Sequence, residues 1–103
     1  MIKHYILVGR EVMEVPLEEW GRWFETANRH IGDDIIDGIR VSTIFLGLDM
    51  ATIEVDRGPP LLFETMVFPD AYLIGRWETI DEAEAEHAKT VAVYQAIAEA
   101  ITE

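Results

Sequence analysis

Eight cations stand against 20 acids in this chain of 103 residues, and their types limit its chemistry. They are Lys3, Arg10, Arg22, Arg29, Arg40, Arg57, Arg76 and Lys89. Six of the eight are arginine, whose planar fork suits bidentate contact with phosphate and stacks on flat rings. Arg22 and Arg29 each follow a glutamate by four residues, so Glu18–Arg22 and Glu25–Arg29 read as ion pairs on a helix. Arg40, Arg57 and Arg76 fall at strand ends or loops beside apolar strands that also hold Thr43, Phe63, Thr65 and Trp77. Aromatic plates, hydroxyls and a few arginines are what a nucleotide-like ligand requires, so these residues are a candidate pocket. The competing reading is core aromatics with solvated arginines, and composition by itself favours it.

Signatures of catalysis are weak. His4, His30 and His87 lie far apart on three elements, and none has the close spacing of a metal-ligand pair. His87 falls on an apolar helical stripe and reads as a partly buried histidine satisfied by a neighbour. Asp33, Asp34 and Asp37 lack the ladder and closing glutamate of a calcium loop, so they read as a solvated acidic turn. Ser42 is the lone serine and has no nucleophile elbow around it. Glu54 and Glu64 could serve as acid and base only if the fold brought them together. Gly38, Gly47, Gly58 and Gly75 are isolated, so no phosphate loop is present. With no cysteine, a disulfide scaffold, a thiolate metal site and a cysteine nucleophile are excluded. The expected class is a binder without catalysis, cofactor or metal.

The formal net charge of −12 disfavours any exposed nucleic-acid surface, because phosphate contacts need a basic face. No apolar run approaches the ~18–20 residues of a membrane span. The run from Ile2 to Val8 is too short for a signal peptide and has no small-residue cleavage site. A cytosolic location is expected.

The elements that must position these residues follow from periodicity. Residues 3–8 and Glu11–Val15 alternate about a turn at Gly9-Arg10 and predict a hairpin. Pro16 suits the first position of a helix whose stripe is Leu17, Trp20, Phe24, Ala27 and Ile31, with Gly32 as its stop. Asp33 to Gly38 reads as loop or turn. Ile39–Leu48 is apolar or small on both faces and predicts a central strand covered on each side. Thr52–Val55 could form a short edge strand before Gly58-Pro59-Pro60, and Leu61–Phe68 and Tyr72–Trp77 predict two more. Thr79 and Glu82 have capping-box spacing and open a long helix toward the C-terminus. The expected fold is a single α+β domain over residues 1–103, an antiparallel or mixed sheet of about five strands packed with two α-helices. Two helices cannot cover so large an apolar sheet, which predicts a homo-oligomer, with Trp20, Trp23 and Phe24 as a possible subunit contact.

Two blocks carry a resemblance. Val41-Ser42-Thr43-Ile44-Phe45-Leu46-Gly47-Leu48-Asp49 and Gly58-Pro59-Pro60-Leu61-Leu62-Phe63-Glu64-Thr65-Met66-Val67-Phe68 resemble a small-protein family common in phages and prophages, that of the anti-Thoeris sponges. The likeness continues more weakly through Arg76-Trp77-Glu78-Thr79-Ile80-Asp81-Glu82-Ala83 to His87, about half the chain in all. The resemblance implies a protein that holds a cyclic ADP-ribose variant such as gcADPR, a bacterial immune signal, without cleaving it. It further implies assembly as a dimer or hexamer, binding of CBASS cyclic oligonucleotides by some members, and a place in the host bacterial cytoplasm. Members often carry histidine after Gly-Leu-Asp, where this chain has Met50, so no role for that histidine transfers. Asp49–Arg57 also fits the block loosely. The candidate ligand-binding residues, chosen for chemistry within or beside the matched blocks, are Arg40, Arg57, Phe63, Thr65, Met66, Arg76, Trp77, Lys89 and Thr90. Two other functions compete: an acidic decoy that mimics nucleic acid to block a basic defence protein, and a small hydrolase of the same messengers.

Overall fold

The computed structural model describes residues 2–49 and 58–102. Arg57 and the expected Thr52–Val55 strand lie outside these residues. The element order is β1 (His4–Val8), β2 (Glu11–Val15), α1 (Leu17–Thr26), β3 (His30–Ile36), β4 (Ile39–Phe45), β5 (Phe63–Phe68), β6 (Tyr72–Trp77) and α2 (Ile80–Thr102). The fold is α+β with two helices, but the strands form two antiparallel sheets rather than one: a β1–β2 hairpin and a four-stranded meander, β3-β4-β5-β6.

The largest departure from the sequence reading lies between residues 27 and 36. The helical stripe through Ala27 and Ile31 does not continue, because α1 stops at Thr26 and Ala27 is extended. Asn28 Oδ1 accepts from the His30 amide at 3.1 Å, a local turn that competes with helix. The Phe45 amide donates to the Arg29 carbonyl at 2.8 Å, and Arg29 Nη1 donates to the Phe45 carbonyl at 2.9 Å. This clamp leads the chain into β3, so Arg29 leaves the helix and lies over the Phe24 ring instead of answering Glu25. The expected acidic turn is therefore mostly strand. Only Asp37-Gly38 turns, with φ of 50° and 82°, the positive values that a two-residue hairpin needs between Ile36 and Ile39. Pro16 precedes α1 as its extended cap residue rather than opening it.

The core sits where the ends of β4 and β5 meet α2. Phe45, Leu62 and Phe63 are fully buried with Ala83 of α2, and Tyr5, Trp23, Trp77 and Ile80 pack around them. Phe45, Leu62 and Phe63 each contribute roughly 1.5–3 kcal/mol by leaving water. Trp23 meets Phe45 edge-on at 5.6 Å, while Trp20 stacks between His4 and Phe24. The aromatic face of α1 thus makes contacts within its own chain, while Trp20, Trp23 and Phe24 each remain partly exposed. The Tyr5 amide donates to the Gly47 carbonyl at 2.9 Å and joins the hairpin to the end of the larger sheet.

Thr79 caps α2, accepting from the Glu82 amide at 3.1 Å. The helix crosses one face of the meander, from Ala83 in the core to His87 above Gly32 of β3. The opposite face of the meander has no described helix on it. β4 is central, as expected, yet covered by a helix on one side only.

Candidate functional site

Strand register divides the candidate residues between the two faces of the meander. Cross-strand partners share a face, so Val41, Thr43 and Phe45 lie with Val67, Thr65 and Phe63 beneath α2. Arg40, Ser42 and Ile44 lie with Phe68, Met66 and Glu64 on the open face, where β6 adds Arg76 and Leu73. The expected single pocket is therefore split by the sheet itself. Phe63 and Thr65 are fully buried under α2, and Trp77 covers them from β6. Arg40, Met66 and Arg76 face the other way. Lys89 is exposed on α2 and paired with Glu86 at 3.1 Å, while Thr90 is buried and donates to the Glu86 carbonyl at 2.9 Å.

Both open-face arginines are held by carboxylates. Arg40 donates through Nε and Nη2 to the two oxygens of Asp33, at 2.8 and 2.9 Å, and Arg76 Nε donates to Glu64 at 2.9 Å. The Arg40 hydrogen bond, and then its charge, hold the Asp33 carboxyl below the usual carboxylate range. Arg40 aligns with Phe68 and Arg76 with Glu64, four residues apart along β5 and on opposite sides of it. At ~3.3 Å per residue and ~4.8 Å per strand their α-carbons are ~16 Å apart. Each arginine already commits donors to its own acid, so an anion on this face would meet only the remaining guanidinium donors, at two separate points with Ile44 and Met66 between them.

The covered face contains the residues that sequence reasoning did not assemble. Thr43 Oγ1 lies 2.6 Å from Thr65 Oγ1 and 2.7 Å from His87 Nδ1, and His87 Nε2 lies 2.7 Å from Asp34. Trp77 Nε1 donates to Thr65 Oγ1 at 3.1 Å. Tryptophan can only donate and a carboxylate can only accept, so the two ends set the direction of the chain. Thr65 donates to Thr43, Thr43 donates to His87 Nδ1, and the Nε2 proton points at Asp34. Every hydroxyl then gives one hydrogen bond and takes one. The strands leave room for the two rings by placing glycine at each side. A Cβ on Gly32 would stand 2.6 Å from the His87 ring, and one on Gly75 would stand 2.6 Å from the Trp77 ring. Cross-strand alignment thus makes a row, Gly32–Thr43–Thr65–Gly75, under His87 and Trp77. Alternation of Thr43 and Thr65 with apolar neighbours was the available signal, but only the register reveals the row.

A hydroxyl, an imidazole and a carboxylate in series resemble a nucleophile with its base, but the solvent exposure of Thr43 is 0%. A substrate carbonyl or phosphorus has no path to that oxygen without removing α2. The series is a clamp that fastens α2 to β3, β4 and β5.

A separate cavity of about 580 Å³ opens between the β1–β2 hairpin, Pro59-Pro60 and the start of α2. Tyr5, Val12, Leu62 and Ile80 give it apolar walls, and Glu11, Glu78 and Asp81 make its rim acidic. Among the described residues its one cation, Arg10, is held by Asp81 and by Glu84. None of the eight described candidate residues lines it. An acidic rim repels phosphate, so this cavity suits an apolar or cationic occupant.

The hydrogen bond from Arg10, with its charge, lowers the Glu84 carboxyl against the opposing effects of desolvation and Asp81. A carboxyl lowered on folding stabilises the fold above its unfolded value, and that contribution fades as pH falls through the folded value. Arg10→Ala should therefore lower Tm near neutral pH and have little effect once Glu84 is protonated in both proteins. Thermal melts from pH 7 to pH 2.5 at low salt check this, and added salt should shrink the difference.

Among the described residues no group of three His, Asp or Glu side chains is placed to hold a metal ion. Asp33 and Asp34, neighbours in sequence, point to opposite faces of β3, toward Arg40 and His87. Among the described residues no helix is long and apolar enough to cross a membrane. Comparison with protein-family models, curated proteins and solved structures finds no match.

Proposed function

We propose that this chain is a non-catalytic sponge that binds a cyclic nucleotide immune signal, a cyclic ADP-ribose variant such as gcADPR or a cyclic oligonucleotide, and withholds it from its effector. One observation carries the reading. The face of β4–β5–β6 away from α2 carries Arg40, paired with Asp33, and Arg76, paired with Glu64, on either side of Ile44 and Met66, and the two blocks that carry the phage-family resemblance build β4 and β5. Two arginines at separate points, with Ile44 and Met66 between them, suit a ring bearing more than one phosphate when the ligand displaces Asp33 and Glu64 from the forks. The acidity of the rest of the chain rejects bulk polyanions without cancelling a short-range fork, since exposed charges beyond ~8–10 Å are screened. Self-association would complete such a site by bringing a second pair of arginines to it.

Isothermal titration and thermal shift with gcADPR and with cyclic di- and trinucleotides test the reading. A bound signal should raise Tm in proportion to its excess over Kd and return intact after the protein is denatured. Arg76→Ala should weaken binding about 10–100-fold, the usual size of a lost charge-assisted contact. Turnover by catalytic amounts of protein would replace the sponge with a hydrolase. If no nucleotide shifts Tm while basic proteins bind in a salt-sensitive way, the acidic decoy stands instead.

A further inference from the structure

The cavity between the hairpin and the start of α2 is built from three separate segments. Tyr5 and Val12 share one face of the hairpin, because Tyr5 alternates onto the face of Leu7, the cross-strand partner of Val12. Pro59 and Pro60 bound a second side with backbone whose φ is fixed. Glu78 and Ile80 bound the third. Arg10, at the tip of the hairpin, reaches across to Asp81 and Glu84 and fixes the span between the walls. The volume of about 580 Å³ falls within the range of small-molecule sites.

The charge around this space is one-sided. Arg10 is committed to Asp81 and Glu84, and among the described residues no cation pairs with Glu11 or Glu78. The Tyr5 phenol reports the same field from the wall: burial first, and then the charges of Glu14 and Asp49, push it above its ordinary value. The positive end of α2 would oppose a cation, but it is answered locally. Thr79 accepts from the Glu82 amide, and Asp81 and Glu82 stand in the first turn.

We propose that this cavity is a binding site for a small organic cation, an amine whose apolar body lies against Tyr5, Val12 and Ile80 while its ammonium meets Glu78 and Glu11 at the rim. Apolar walls alone would accept any hydrophobe, and unpaired carboxylates alone would attract any hydrated cation. Side by side they select a molecule that has both parts. An aromatic wall adds its own attraction for the charge. The inference is independent of the sponge reading, because this rim repels phosphate and neither Arg40 nor Arg76 lines the cavity.

Titration of the isotope-labelled full chain with phenethylammonium chloride, followed by its amide resonances, tests the proposal. Phenethyl alcohol and ethylammonium serve as comparisons that lack the charge and the ring. Phenethylammonium should bind saturably with Kd below ~1 mM and shift the Tyr5, Val12 and Ile80 amides together, and each comparison compound should bind at least about tenfold more weakly. Glu78→Gln should weaken binding about tenfold, whereas Glu25→Gln, the same loss of charge on the exposed face of α1, should leave it unchanged. Val12→Tyr suits a strand and fills the cavity, so it should abolish the shifts at Tyr5 and Ile80 without altering circular dichroism. Absence of a saturable shift at these amides overturns the proposal, as does affinity for the alcohol equal to that for the amine. Equal affinity for ethylammonium, or an equal effect of Glu25→Gln, overturns it too, since the net charge of −12 would then be attracting cations indiscriminately.

Discussion

Phe63→Ala is expected to remove about 3–5 kcal/mol of stability, the largest loss anticipated from a single change in this chain. Phe63 has 0% exposure, packs against Phe45 with its ring tilted by 57° at 5.2 Å between ring centres, and meets Leu62 and Ala83 in the core cluster. Truncation loses both the transfer of the ring from water and the contacts around the cavity that remains, because β4 and α2 cannot collapse to fill it. Total stability of a domain this size is of order 5–15 kcal/mol, so the variant should stand near its unfolding threshold. Urea denaturation checks the size of the loss, with the slope expected to stay near that of wild type. The same variant separates two roles for this residue. As a core residue, Phe63 leaves ligand affinity per folded molecule unchanged when truncated. As a stacking plate, it would lose affinity at temperatures where the variant remains folded. Arg76→Ala should weaken ligand and also lower stability, because it strips the partner from the Glu64 carboxylate, whose side chain is 12% exposed.

Much of the architecture was legible because local rules and the tertiary structure agree. The Glu11–Val15 and Tyr72–Trp77 strands and the Thr79–Glu82 capping box fall where alternation and cap chemistry place them. Residues 27–36 were misread because two periodicities overlap there. Ala27 and Ile31 extend the α1 stripe at three- and four-residue steps, while Ile31, Ile35 and Ile36 suit a strand. The decision comes from Phe45, which engages Arg29 through both its amide and its carbonyl. That partner is sixteen residues away. The resulting strand has acids at Asp33 and Asp34, which by composition suggest a solvated turn, and each is answered from a distant position, Arg40 and His87.

The candidate site was legible in residue type and illegible in direction. Arg40 and Thr43, or Thr65 and Met66, are near neighbours in sequence, yet an odd number of residues apart on a strand means opposite faces. Gathering all of them into one pocket ignored that parity. Applied to β4 and β5, parity alone separates Arg40 and Met66 from Thr43, Phe63 and Thr65. What parity cannot supply is the helix that occupies one of the two faces. That depends on α2 crossing at Ala83 and at His87, whose partners Thr43 and Asp34 are 44 and 53 residues away.

Thr43→Val should cost about 2–4 kcal/mol although it preserves the shape of the side chain, because the damage is to hydrogen bonding rather than packing. The Thr43 hydroxyl takes a proton from Thr65 and gives one to His87 Nδ1, at 2.6 and 2.7 Å. Valine leaves the Thr65 proton and the Nδ1 lone pair without partners, at sites where Thr65 is 0% and His87 8% exposed. An orphaned buried polar group costs roughly 1–3 kcal/mol, and valine creates two. Thr65→Val should fall in the same range, since it orphans the Trp77 indole proton and the acceptor side of Thr43. The double variant is the decisive case. With both hydroxyls gone, the Thr65 proton and the Thr43 acceptor no longer exist to be orphaned, so only the outer ends of the chain remain unpaired. Its loss should be smaller than the sum of the single losses by about 1 kcal/mol or more, the mark of groups that act through one another. Chemical denaturation of the four proteins in parallel measures the coupling. Strict additivity would mean that the two hydroxyls act independently, and that the chain from Trp77 to Asp34 is not one cooperative clamp on α2.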